Sequence, residues 1–278
     1  MADVTRIIDG VAVHTSGTSG APGTGSPLVL LHGNGGDHRD FAAVAGRLAE
    51  HHTVHAVDWP GWGASAPDGE PTALDYAALL PRVLRGIGAG PFVLVGNSVG
   101  GFAAIRVAAT DPDLVRALVL VDPGGFTPRW PGTVAVCRLI GSRRLARPML
   151  RILPRLYLRR DNELVAALRS RAAEAAGDPA RVRVFASLWR SFAHADHDAR
   201  PAARGVAVPT VLVWGRRVPV LPWPIDGRRA RHALPGASVV ALACGHQAFA
   251  EMPDAFLAAV EPFLAAAATG DTDGSDRE

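Results

Sequence analysis

The chain contains no lysine: all 29 of its basic residues are arginine. With heavy use of Ala, Gly and Pro, this reads as a codon bias toward G and C rather than a surface selected for phosphate contacts. The arginines are spread along the chain without the interleaved aromatics of a base-stacking platform. A net charge of +3 and a pI near 9.5 therefore do not point to nucleic acid. Cysteine is almost as scarce. Cys137 and Cys244 fall in different parts of the expected fold, which argues against a disulfide framework and suits a reducing cytoplasm. No run approaches the ~20 apolar residues of a membrane span. The opening Met1-Ala2-Asp3-Val4-Thr5-Arg6 lacks the apolar core of a signal peptide. Charged residues make up only 20% of the chain against 48% hydrophobic, a balance that excludes intrinsic disorder.

What is present is an alternation. Short apolar runs at Pro27–His32, Thr53–Asp58, Pro91–Gly96, Ala117–Asp122, Thr210–Trp214 and Ser238–Ala243 are near-continuously hydrophobic, as strands covered on both faces must be. Between them lie amphipathic helix candidates at about 39–50, 72–88, 99–110, 226–233 and 253–267. The predicted class is α/β, a mainly parallel sheet flanked by helices. Val4 to His14 is expected to form a leading hairpin at the sheet edge, and Thr15–Ser26 a flexible connector. Residues 125–204 break the alternation: rich in Arg, Leu and Ala, they contain no strand and read as an inserted helical lid. The expected organisation is thus a core of 1–124 and 205–268, a lid at 125–204 and a disordered tail at 269–278.

The strongest chemical signal follows the third of these runs. Phe92–Gly96 leads into Gly96-Asn97-Ser98-Val99-Gly100-Gly101 and then the helical Phe102-Ala103-Ala104-Ile105-Arg106. A serine between glycines at a strand–turn–helix junction is the nucleophile elbow, which lifts the hydroxyl to a helix N-terminus. The bland alternative is a Gly-rich turn with an incidental Ser. A second signal, His32-Gly33-Asn34-Gly35-Gly36, follows the first run. Its backbone, at Asn34 or Gly35, can supply one oxyanion donor and Val99 the other. His32 itself is expected to tie neighbouring loops together.

Taken in order, His32-Gly33, Asp58-Trp59-Pro60-Gly61-Trp62-Gly63-Ala64-Ser65, the Ser98 elbow and Gly245-His246 resemble the α/β-hydrolase superfamily over nearly the whole chain. The Asp58–Ser65 segment resembles the loop that borders the site in epoxide-hydrolase and esterase-like branches. The Gly-Asn-Ser-x-Gly-Gly elbow and Pro123-Gly124-Gly125 are similar to hydrolases of carbon–carbon bonds in ring-fission products. Ser rather than Asp at position 98 argues against the haloalkane-dehalogenase and epoxide-hydrolase branches. The resemblance implies a serine hydrolase needing no cofactor and no metal, with His246 as its general base. An imidazole with a pKa near ~6.5 suits that shuttle. His51, His52, His194 and His197 have no such context and are expected to be solvated.

One departure stands out. The family's acid is expected in a Trp-Gly-x-x-Asp pattern, but Trp214-Gly215-Arg216-Arg217-Val218 puts valine there. Asp122, ending the Ala117–Asp122 run at the carboxyl edge of the sheet, is the preferred replacement. Asp226, read as a helix N-cap, and Asp198, read as part of the hinge leaving the lid, are the others, and a site without an acid stays open. The lid aromatics Trp130, Phe185, Trp189 and Phe192, with nearby Trp223, either line an apolar pocket or pack the lid onto the core. The Arg-rich run from Arg138 to Arg160 either attracts an anionic substrate or forms solvated helix faces. The expected function is hydrolysis, through an acyl-enzyme, of a small ester, lactone, thioester or ring-fission carbon–carbon substrate. The expected partner is a small molecule, without nucleic acid or membrane. A fold member that binds or rearranges a small molecule without hydrolysis is the alternative.

Overall fold

The computed structural model describes residues 4–17 and 25–269. The tail expected at 269–278 lies, beyond Thr269, outside the described residues, as does the middle of the connector expected at Thr15–Ser26. Eight strands form one sheet in the order β1-β2-β4-β3-β5-β6-β7-β8. They are β1 (Val4–Ile8), β2 (Val11–Ser16), β3 (Leu28–Leu31), β4 (Val54–Asp58), β5 (Phe92–Asn97), β6 (Val115–Val121), β7 (Thr210–Gly215) and β8 (Ser238–Leu242). β1 and β2 are the antiparallel edge hairpin, and β3 to β8 pair in parallel. Every residue of β3, β4, β5 and β7 is buried. The period of two sends successive side chains to opposite faces. Val29, Leu31 and Leu94 join one apolar cluster, while Leu28, Leu30, Val93 and Val95 join the other.

Helices α1 (Ala42–Leu48), α2 (Ala73–Ile87) and α3 (Val99–Thr110) cover the first half of the sheet. α2 starts where sequence chemistry says it should: the Thr72 side chain accepts from Asp75 N–H, and the Asp75 carboxylate accepts from Thr72 N–H. Between β6 and β7 the chain has no strand, and its helices are α4 (Pro131–Ile140), α5 (Ala146–Tyr157), α6 (Glu163–Ala175), α7 (Pro179–Ser191) and the short α8 (Arg200–Ala203), joined by loops. α5 buries Ala146, Leu150 and Leu153 at helical spacing. α4 buries nothing, and its Val136 and Leu139 are exposed. α9 (Arg228–Ala233), α10 (Ala248–Glu251) and α11 (Pro253–Thr269) complete the chain. Arg171 on α6 reaches back to Asp37 and the fully buried Asp40, 2.8 Å from the latter, fastening this helical segment to the sheet domain.

Two expectations need correction. Asp226 does not cap a helix: it is buried within a wide turn, Trp223–Gly227, and accepts a hydrogen bond from Thr127 Oγ1. α9 begins after it. His52 and His197 are not solvated. His52 is buried and bonded to Ser26 O, and His197 packs against the Phe102 and Phe192 rings.

Candidate active site

β5 ends at Asn97 and α3 starts at Val99, so Ser98 alone makes the turn between them. Its backbone sits at φ 54°, ψ −115°, a conformation that costs a residue with a side chain about 1–3 kcal/mol. The surroundings leave no slack. A Cβ on Gly96 would lie 2.7 Å from Gly100 O, and one on Gly100 only 2.3 Å from Leu31 O. The turn is held from both sides, since Ser98 N–H donates to Val121 O while Ser98 O accepts from Phe102 N–H and Gly124 N–H.

His246 lies on the loop between β8 and α10, 8% exposed. Three contacts fix it. Its N–H donates to Tyr157 O at 3.0 Å, its carbonyl accepts from Asn97 Nδ2 at 3.0 Å, and the Tyr157 ring packs edge-on at 5.2 Å. Burial pushes its imidazole down to about 4, so the ring is neutral at neutral pH. Its Nδ1 is buried and has no hydrogen-bond partner among the described residues.

Asp122 follows β6 in a left-handed conformation, φ 41°, with no exposure. Oδ1 accepts from Gly215 N–H at 3.1 Å, while Oδ2 is buried and, among the described residues, unpartnered. Burial pushes its carboxyl well above the usual carboxylate range, opposed by the Gly215 N–H. The same Asn97 amide that holds the His246 carbonyl also donates to Val121 O, the residue before Asp122. Two orphaned, complementary atoms, Asp122 Oδ2 and His246 Nδ1, thus sit on segments tied to one side chain. No hydrogen bond joins them directly.

Val218, where an acid is usual, is 4% exposed within the apolar cluster of Leu212 and Trp214. Asp198 is engaged by Arg200 at 2.6 Å, which also donates its backbone N–H to it. None of Asp122, Asp198 and Asp226 is hydrogen-bonded to His246, and Asp226 Oδ2, like Asp122 Oδ2, is buried and unpartnered among the described residues; what sets Asp122 apart is the Asn97 amide shared by the residue before it and His246. His32 is fully buried; its Nδ1 bonds Gly33 O and its Nε2 accepts from Trp59 N–H, tying two loops together as expected.

Ser98, Val99, Asn34 and His246 line one cavity of about 390 Å³ between the carboxyl ends of the strands and the helical segment. Val99 stands at the first helical position of α3, where backbone N–H groups lack intrahelical acceptors. Asn34 is anchored by its Nδ2 to Phe185 O on α7. Of the expected aromatics, Phe185, Trp189 and Phe192 line the cavity, whereas Trp130 is 56% exposed and Trp223 packs on Trp214. No residue of Asp58–Ser65 lines it; Gly61 instead packs beneath Val184 of α7. Cys137, on the lining face of α4, and Cys244 are both free.

Glu251 escaped the sequence reading. It is 4% exposed and accepts four backbone N–H groups: Gly245 and Gln247 on either side of His246, and Arg159 and Arg160 after α5. The signal was an acid in the otherwise apolar Ala248–Met252, a place where a carboxylate survives only if fully bonded.

A strained serine turn, a buried histidine on the loop after the last strand and a helical segment over an apolar cavity define a recognisable class. The chain belongs to the alpha/beta hydrolase family, which it matches over residues 28–259. It is 33% identical over 267 residues to a pimeloyl-[acyl-carrier protein] methyl ester esterase of Stenotrophomonas maltophilia, covering 90% of this chain and 96% of that one. A namesake from Xanthomonas campestris pv. campestris is 42% identical over 120 residues, 40% of this chain; the match spans 44% of that relative's length. In fold the chain is similar to the enol-lactonase of Burkholderia xenovorans, with a TM-score of 0.79 at 21% identity, covering 94% of this chain and all of that one. Among the described residues no helix is long and apolar enough to cross a membrane.

Proposed function

We propose that the protein is a serine carboxylic-ester hydrolase, with Ser98 as nucleophile, His246 as general base and Asp122 as the acid that orients it. The observation carrying this reading is the pair of buried, unpartnered atoms, Asp122 Oδ2 and His246 Nδ1, at a site whose serine is held in a strained turn. Native proteins rarely leave such atoms orphaned, because each costs about 1–3 kcal/mol. Asp122 thereby takes over from the position Val218 occupies.

In the first step Ser98 Oγ bonds to the ester carbonyl carbon and passes its proton to His246 Nε2. The carbonyl π pair moves onto oxygen, where the backbone N–H of Val99 and that of Asn34 or Gly35 stabilise it. Collapse expels the alcohol, which takes the proton from His246 and leaves an acyl-serine. Water, deprotonated by the same imidazole, then releases the acid and restores Ser98. Asp122 stabilises the transient imidazolium.

The helical segment of 125–204 acts as a lid, and its Phe185, Trp189 and Phe192 supply an apolar wall for the acyl chain. An anionic group on the substrate or its carrier is favoured by the stretch from Pro123 to Arg160, which holds nine arginines and no acidic residue. The relatives named for a methyl ester on an acyl-carrier protein are consistent with such a substrate. Labelling with a fluorophosphonate and hydrolysis of p-nitrophenyl acyl esters test the proposal together. Wild type should label at Ser98 and turn over, Ser98→Ala should do neither, and folded wild type that fails to label would overturn it. The non-hydrolytic alternative predicts turnover indifferent to His246→Ala.

A further inference from the structure

A second cluster of reactive groups lies outside the cavity, none of its members lining it. His14 on β2, His38 at the start of the turn before α1, and Asp58 at the end of β4 come together from three separate segments. His14 Nε2 is 2.9 Å from Asp58 Oδ2, and His38 Nδ1 is 3.0 Å from Oδ1. The two imidazoles stack at 3.6 Å with their nitrogens turned to the same carboxylate. Among the described residues this is the one group of three His, Cys, Asp or Glu whose ligand atoms converge, all within 4.8 Å of one another.

We propose that His14, His38 and Asp58 form a site for one divalent transition-metal ion of the zinc class, clamping the edge hairpin to the sheet. The donor set, two imidazole nitrogens and one carboxylate oxygen, is the borderline set that zinc, cobalt and nickel prefer over magnesium or calcium. The Asp58 carboxylate is held in place by two backbone donors, the N–H of His38 to Oδ1 at 2.7 Å and the N–H of Ala64 to Oδ2 at 2.8 Å. Those two N–H groups use one lone pair on each oxygen and aim the other at the imidazoles.

The surroundings fit a metal as well as a proton. Thr5 Oγ1 is 3.0 Å from His14 Nδ1, and a hydroxyl can accept from that nitrogen as readily as donate to it. When the metal takes Nε2, the displaced proton moves to Nδ1 and stays bonded. This is the outer-shell support that ligating histidines commonly have. His14 and His38 side chains are 15% and 28% exposed, so an ion can reach the site and keep water at an open position. The sequence carried no sign of it, because Asp58 lies 44 residues from His14 and 20 from His38.

Titration of tag-free, chelator-treated protein with Zn²⁺, Co²⁺ and Mg²⁺, read by calorimetry and thermal unfolding, tests the site. One Zn²⁺ per chain should bind and raise Tm, Co²⁺ should show the visible absorption of a low-coordinate nitrogen site, and Mg²⁺ should do neither. His14→Ala and His38→Ala should each weaken zinc binding by more than about tenfold, and Thr5→Val by about tenfold. Ester hydrolysis should be unchanged in all three variants. If wild type and the His14→Ala/His38→Ala double variant bind zinc alike, or neither binds, the cluster is only a hydrogen-bonded clamp and the proposal fails. Both histidines are partly exposed, so the variants remain foldable even if Asp58→Asn is not.

Discussion

Ser98 and Asp122 are two of only four non-glycine residues with positive φ among the described positions, and they end adjacent strands of the sheet. Strain of this kind persists where the surroundings over-determine it, and it gathers at functional sites. The proposed acid makes a sharp prediction. Asp122→Asn keeps shape but cannot stabilise an imidazolium, so kcat should fall by up to ~10⁴-fold while Tm changes little. Near-wild-type turnover in a folded variant would exclude Asp122. The burial of His246 gives a second prediction, read from kcat/KM against pH on a neutral ester. A base must be unprotonated to act, and this imidazole is held near 4 rather than ~6.5. Activity should therefore persist as pH falls through 6.5 and decline only on approach to about 4. A limb centred at 6.5 would mean the ring is solvated in the free enzyme. The proposed nucleophile and base stand out in the sequence because each follows a strand in a recognisable local pattern. The proposed acid was legible only as one choice among three, with a site lacking an acid left open. What favours it, the Asn97 bridge between the residue before it and His246, involves contacts across 24 and 149 residues that no local pattern contains.

At the scale of elements, the site depends on how one loop is tied to another. Glu251 on α10 gathers four N–H groups from the His246 loop and from the turn after α5, so the His246 loop and the helical segment share one carboxylate. Glu251→Ala would strand four backbone donors, two of them buried, and free the loop. We expect a loss of about 3 kcal/mol or more in unfolding free energy. We also expect kcat to fall while fluorophosphonate labelling of Ser98 slows in parallel. Glu251→Gln, which keeps the acceptor oxygen, should recover part of both. A variant destabilised but undiminished in kcat would show that the clamp serves stability alone. The strands and the helices α2, α3 and α11 were readable from apolar runs and caps, because their burial repeats with a fixed period. The turn at Trp223–Gly227 was not: tertiary packing of Trp223 against Trp214 and the Thr127–Asp226 hydrogen bond override the apparent helix start.

Across the whole molecule the imbalance is one of charge position rather than total. The chain carries only +3 overall, yet nine of its 29 arginines and none of its 26 acidic residues lie between Pro123 and Arg160, the stretch that includes α4 and α5 beside the cavity. The sequence left open whether this run is a solvated surface or an anion attractor. The fold bears on the choice, because Arg143, Arg144, Arg147, Arg151 and Arg155 stay exposed and none of them is ion-paired among the described residues. A one-sided field of this kind raises the encounter rate of an oppositely charged ligand and is screened once the Debye length shrinks from ~10 Å at 0.1 M salt to ~3 Å at 1 M. For an ester bearing a distal carboxylate, or an acyl group on an acidic carrier, kcat/KM should fall several-fold over that range. For a neutral ester of the same chain length it should stay nearly flat. Replacing Arg147, Arg151 and Arg155 together with Gln should remove most of the salt dependence and leave kcat on the neutral ester intact. If neutral and anionic esters respond to salt alike, the arginines are solvated helix faces and the substrate carries no charge that the helical segment reads.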